Sequence, residues 1–412
     1  MTNHDPRKAV EDLWDHLARH DRPLSFLFGA GTSSSVNIAP PPAPGQKPTH
    51  VPLIPAVLKL TEICERAVRS KGAQFGAAWD AAVKECAATV SKPNIEDVLS
   101  KTRHKLDAIG PNDVLLGLQK DKLVEFEKVI CETIAKVASP ALTTIPKKLP
   151  HHTFAMWVRN ATRTNPIEIF TTNYDMLFEI ALEAIRIPIF DGFIGAHQPL
   201  FMSEYMERKD FLPSQGWLRL WKIHGSVNWQ LVKRDGSDQV VRTQPVPSGE
   251  MILPSHRKYD ESRKQPYVSL LNRLNRVLDQ EDSLLITCGY SFSDEHINSM
   301  IFSSLEGPRR SHVVSLQFDA LTPSSPLVKY AVQRRNLIVL ARNGAVVRGE
   351  WGLWKLIQPV DNASAGFMDV AFDSKAAVDS DPDGLVGEMR LGDFNRFCEF
   401  LLAMTPRAKE EP

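Results

Sequence analysis

The sequence predicts an α/β fold: a doubly wound, mostly parallel Rossmann-like sheet with an all-helical insert. Three observations lead there. Short apolar runs recur at residues 24–28, 167–171, 218–223, 284–288, 313–318 and 337–341, with the apolar character on both faces that buried parallel strands carry. Helix-patterned stretches alternate with these runs, as parallel crossovers require. Several runs end in small or hydrogen-bonding residues, at the strand ends beyond which open α/β sheets bind their ligands.

Taken in order, residues 7–20 read as a helix with Val10, Leu13, Trp14 and Leu17 on one stripe, and residues 24–28 as a buried strand. The turn that follows, Gly29, Ala30 and Gly31, starts a dinucleotide-type bend in which Ser34 replaces the third glycine. Its backbone amides suit a pyrophosphate, and Thr32, Ser33, Ser34 and Ser35 add hydroxyls for phosphate oxygens. Residues 39–55 contain Pro40, Pro41, Pro42, Pro44, Pro48, Pro52 and Pro55, which forbids regular structure and fits either a linker or a lid. From 55 to 139 the pattern is helical, with Val57, Leu60, Thr61 and Cys64 on one face, and Pro140, Pro146 and Pro150 mark the exit. The expected organisation is a sheet domain from 1–38 and 140–360, an insert at 39–139, and a C-terminal extension at 361–412.

Beyond the strand at 167–171, Asn173 and Asp175 precede a helical stripe of Leu177, Ile180, Ala181 and Ala184. Asn173 is either an N-cap or an amide that orients a ribose hydroxyl or a water; Asp175 falls in the first turn. His224 ends the next apolar run beside Gly225, which permits close approach. After residues 284–288, Gly289, Tyr290 and Ser291 suit contact with an adenosine ribose. There Ser291 or Ser293 would cap a helix with Asp294 and Glu295 in its first turn. The last fifty residues read as polar and irregular, with a loop at 379–384 and a helix at 391–403 that either caps an edge or docks a partner.

Composition narrows the function. Hydrophobic residues at 43% and charged residues at 24% suit a folded globular chain, and 49 basic against 49 acidic residues give no broad footprint for nucleic acid. No apolar run approaches a membrane span, and a cytoplasmic location is expected. Cys64, Cys86, Cys131, Cys288 and Cys398 are scattered singly, without the spacing of a zinc site or a redox pair.

As a set, Gly29-Ala-Gly-Thr-Ser33, Thr171-Thr-Asn-Tyr-Asp175, His224-Gly225 and Gly289-Tyr-Ser-Phe-Ser-Asp-Glu-His296 resemble the sirtuin superfamily, specifically its bacterial branch in anti-phage defence proteins. The resemblance runs from about residue 24 to 341, interrupted by the insert. It implies that Gly29, Ala30, Gly31, Thr32 and Ser33 line the pyrophosphate of NAD. Asn173 and Asp175 would lie on the nicotinamide ribose side, His224 at the catalytic position, and Gly289, Tyr290 and Ser291 near adenosine. Deacylating sirtuins carry Gln-Asn-Ile-Asp where this chain has Thr172-Asn-Tyr-Asp175. They also carry the paired cysteines of a zinc ribbon, which this sequence does not have, so no zinc is expected and the helical insert and Pro-rich segment would fill that side instead.

The resemblance therefore implies an NAD glycohydrolase that gives nicotinamide and ADP-ribose, with NAD as substrate, water as acceptor and antiviral NAD depletion as the outcome. Protein deacylation, ADP-ribosyl transfer and turnover-free sensing of NAD or ADP-ribose are the alternatives. Such an activity calls for restraint, and the resemblance implies activation during infection through a homo-oligomer or a partner such as a HerA-like ATPase. No nucleic acid or membrane partner is expected.

Overall fold

The computed structural model describes residues 2–42, 49–234, 236–245, 265–307, 310–358, 365–377 and 385–405. Part of the proline-rich stretch, including Pro44 and Pro48, and the loop expected at 379–384 lie outside the described residues.

Ten strands form the main sheet: β1 (Thr2–His4), β2 (Leu24–Phe28), β3 (Glu168–Thr171), β4 (Ile189–Phe190), β5 (Leu218–Lys222), β6 (Leu284–Cys288), β7 (His312–Leu316), β8 (Leu337–Leu340), β9 (Gly344–Val347) and β10 (Glu350–Trp354). Their spatial order is β1-β10-β9-β8-β7-β6-β2-β3-β5-β4. From β8 to β4 every pairing is parallel. An antiparallel pair, β9 and β10, extends the β8 edge. The first central strand, β2, lies between β6 and β3, so the chain winds outward in both directions from it. The crevice at that switch point is where such sheets take ligands.

Side chains of the central strands alternate between two buried layers. Phe26 and Phe28 face one core, Leu27 the other; Ile286 and Cys288 face the first, Leu285 the second. On the first face pack α1 (Pro6–Ala18), α6 (Pro150–Asn160) and α7 (Leu177–Ala184). On the second lie α8 (Tyr267–Leu278), α9 (Glu295–Glu306) and α10 (Pro326–Val332).

The insert comprises α2 (Val57–Arg69), α3 (Ala73–Cys86), α4 (Ile95–Ala108) and α5 (Lys120–Ala138) around their own core of Trp79, Val98, Phe126 and Ile130. A capping box of Asn94 and Asp97 starts α4. Despite about 140 intervening residues, β2 and β3 are direct neighbours, with Ser25 opposite Glu168 and Phe28 opposite Thr171.

One expectation needs correction. The chain beyond 385 is neither a polar appendage nor an edge cap: helix α11 (Phe394–Ala403) buries Phe394, Phe397, Phe400 and Leu401 in the first core. It packs against α6, with Phe28 and Phe394 rings 5.3 Å apart. A stripe at i, i+3, i+6 and i+7 is a core-facing helix whatever the polarity of its surroundings.

Candidate functional site

The C-terminal ends of β2, β3, β5, β6 and β7 open on a cavity of about 1320 Å³. The turn after β2 packs directly on the turn after β6. A Cβ on Gly29 would lie 2.4 Å from the Gly289 carbonyl oxygen, one on Gly31 2.6 Å from Gly289 Cα, and one on Gly289 2.6 Å from the Thr32 nitrogen. Gly289 also has φ +65°, a left-handed backbone that glycine adopts without strain. These glycines thus satisfy the sheet's own close approach before any ligand arrives.

The hydroxyls of this turn are all engaged within the protein. Thr32 Oγ1 donates to the Gly29 carbonyl, Ser33 Oγ to Asp175 Oδ2 (2.6 Å), Ser34 Oγ to the Gly31 carbonyl and Ser35 Oγ to the Thr32 carbonyl. The amides of Gly29, Gly31 and Thr32 are also engaged, donating to Cys288, Gly289 and Gly29 carbonyls. The reason is local for three of them: a helical turn at Ala30–Ser34 brings the Thr32, Ser34 and Ser35 hydroxyls within reach of the carbonyl three residues back.

Asn173 is buried, and its Nδ2 lies within bonding distance of Gly29 O (3.1 Å), Thr32 Oγ1 (3.0 Å) and Ser33 Oγ (2.7 Å). It is not the N-cap of α7. That position is Met176, and the Asp175 carboxylate accepts from the Leu177 amide at 3.0 Å. Asn173 and Asp175 together fasten the glycine turn to the end of β3, leaving Asn173 its Oδ1 acceptor for a ligand.

His224 follows β5 in a turn where Gly225 has φ +88°. Its Nε2 lies 2.9 Å from Asp294 Oδ2. Asp294 is buried, and its other oxygen accepts from the His296 and Ile297 amides. Asp294 is therefore the N-cap of α9, in place of Ser291 or Ser293, whose hydroxyls bond to each other at 2.9 Å. In the tautomer that donates Nε2–H to this carboxylate, the Nδ1 lone pair is left as an acceptor. Tyr290 is buried in the second core and donates to Asn298 Oδ1 at 2.9 Å; burial keeps its phenol protonated far above neutrality.

Gly29, Ala30, Gly31, Ser33, Asn173, Asp175, His224, Gly289, Tyr290 and Ser291 all border the one cavity, whereas Thr32 and Gly225 support it from behind. Sequence reasoning missed three contributors. Asp294 was read only as a first-turn acid, although an acidic residue at a helix start beside a strand end is also placed to meet a neighbouring loop. Gln317 and Asp319 continue β7 into the cavity rim, and Asp393, the N-cap of α11, closes it further together with Asn395 and Arg396 of that helix. Asn395 Nδ2 donates to the Ser35 carbonyl at 3.1 Å. The insert supplies a further wall through Glu96, Leu99 and Ile134, and the proline-rich segment adds His50 and Ile54.

Among the described residues no group of His, Cys, Asp or Glu is arranged to hold a metal, and no helix is long and apolar enough to cross a membrane. Burial pushes the Cys64 and Cys131 thiols up to about 12, so they are unreactive near neutral pH. No curated protein matches the chain. Residues 167–338 match the family model described as the SIR2-like domain.

Proposed function

We propose, from the match of residues 167–338 to the SIR2-like domain, that this chain binds NAD and hydrolyses its nicotinamide–ribose bond to release nicotinamide and ADP-ribose. One observation carries the reading: the His224–Asp294 pair borders the same cavity as the glycine turn, Asn173 and Asp175. A chamber of about 1320 Å³ exceeds the roughly 300–1,000 Å³ of ordinary small-molecule sites and suits an extended dinucleotide. The position at the switch point suits a pyrophosphate there.

The pyridinium ring of NAD leaves as a neutral amide, so the protein need supply no strong acid. Water forms the new bond to the ribose carbon as the bond to the ring nitrogen breaks, and His224 Nδ1 takes the water's proton. Asp294 on Nε2 fixes the tautomer and offsets the charge the imidazole gains. Asn173 Oδ1 is the acceptor that orients a ribose hydroxyl or the water, and Asp175 acts through Ser33 to hold the turn. Positioned base catalysis of this type is worth about 100- to 10,000-fold.

A second reading, a sensor that binds NAD or ADP-ribose without turnover, draws on the inward use of the Asn173 amide and the Asp175 carboxylate. Incubating the purified protein with NAD and following nicotinamide separates the two. Release without an acceptor supports hydrolysis; tight binding without release supports the sensor. Release that requires a protein acceptor points to deacylation or ADP-ribosyl transfer. The hydrolytic reading extends to NAD depletion during anti-phage defence, with the otherwise restrained activity switched on by homo-oligomerisation or a HerA-like ATPase. A rise in nicotinamide release when either assembly forms is the expected result.

A further inference from the structure

We propose that Lys222 is a positioning residue that locks the Asn173–Asp175 loop to the His224 loop, and that its job is to orient the two motifs and not to stabilise the fold. This rests on the hydrolytic reading of the site. Lys222 ends β5 and its side chain is only 3% exposed. An ammonium has three N–H donors, and this one has three acceptors: the Tyr174 carbonyl (3.2 Å), the Asp175 carbonyl and Glu179 Oε1 (2.9 Å). Two acceptors are therefore backbone of the loop that carries Asn173 and Asp175.

The same loop is held from the other side of His224. The Tyr174 carbonyl also accepts from Ser226 Oγ (3.3 Å) and the Val227 amide (3.0 Å). Residues two before and two or three after His224 thus grip one peptide carbonyl, and Lys222 alone among them reaches the next. Fixing successive carbonyls fixes the peptide planes, and with them the Cα–Cβ directions of Tyr174 and Asp175. That aims the Asp175 carboxylate at Ser33 and the glycine turn. Burying an ammonium is costly, and an apolar residue in place of a buried ion pair is often neutral or stabilising. Stability alone therefore gives no reason for a lysine here.

The test is the double variant Lys222→Met/Glu179→Leu, which removes both buried charges and leaves the Ser226 and Val227 bonds in place. It should keep a melting temperature near that of the parent. Its kcat for nicotinamide release should fall roughly tenfold or more, the scale of one lost charge-assisted bond, with the KM for NAD little changed. Hydrogen exchange at the 173–177 amides should quicken. Parent-like kcat and exchange in a folded double variant would overturn the proposal. Should that variant not fold, Glu179→Gln serves: it keeps the ammonium and both carbonyl bonds, so turnover should stay near parental, and a loss as large as that predicted above would assign the effect to the ion pair instead. If the parent itself releases no nicotinamide, the hydrolytic reading fails; unchanged 173–177 exchange in the double variant remains the result that sinks Lys222.

Discussion

Asp294 divides its two oxygens between two structures: one caps α9, the other holds the His224 imidazole. Asn is an equally good N-cap but presents no carboxylate to the ring. Asp294→Asn should therefore melt within about 1 kcal/mol of the parent while its turnover of NAD falls by roughly 100-fold or more; thermal unfolding and nicotinamide release measured on the same sample check both halves. His224→Ala should lose turnover with folding intact. The glycines respond in the opposite way. At Gly289, with φ +65° and a Cβ only 2.6 Å from the Thr32 nitrogen, Gly289→Ala should destabilise by about 2 kcal/mol or more, measured by urea unfolding. Both Gly29 and His224 were legible in the sequence because each stands directly after an apolar run. The His224–Asp294 pairing was not, since 70 positions separate the two residues and no local pattern couples them. Nor could the sequence tell an engaged from a free hydroxyl at Thr32 to Ser35, because that depends on the helical turn closing.

At the scale of elements, the buried parallel strands were legible, whereas the outer strands β1, β4, β9 and β10 and the helix roles were not. The six apolar runs all became strands of one sheet because burial on both faces leaves a dense and unmistakable record. Helix α11 was found but misplaced: its neighbours are polar, and only the spacing of Phe394, Phe397, Phe400 and Leu401 shows that it enters the core. Phe397 is fully buried, so Phe397→Ala should cost about 3–5 kcal/mol, where an edge cap would lose little; chemical denaturation distinguishes them. In the same layer, His151 of α6 lies between Phe178 and Phe394, ring centroids 4.6 and 5.0 Å away, with neither ring nitrogen bonded among the described residues. Burial pushes its imidazole down to about 3. The folded protein holds this ring neutral while the unfolded chain takes up a proton near pH 6.5. Its contribution is therefore complete above that pH and is lost as pH falls toward 3, by about 2 kcal/mol at pH 5. His151→Phe should shrink the drop in melting temperature between pH 7 and pH 5.

Considered as one molecule, the protein builds its cavity from segments that are remote in sequence: the first glycine turn, the helical insert, four later strand ends and α11. Fold class was readable because a parallel sheet repeats its pattern along the chain. Of the walls, the helical insert was expected from the missing zinc ribbon and α11 was not, since it reaches the cavity through polar side chains such as Arg396 that lie outside its packing stripe. Gly392 shows how tightly the last wall is joined: a Cβ there would sit 2.2 Å from the Gln317 carbonyl oxygen. Gly392→Val should thus weaken NAD binding and stability together, by calorimetry and thermal melting.

The late arrival of that wall has a consequence for synthesis. A ribosome translating this chain makes Gly29, Asn173 and His224 long before Asn395 and Arg396, so a growing or prematurely ended polypeptide has the chemical groups but no closed chamber to hold a dinucleotide. Under the hydrolytic reading, turnover of NAD would then wait until α11 has been made and packed.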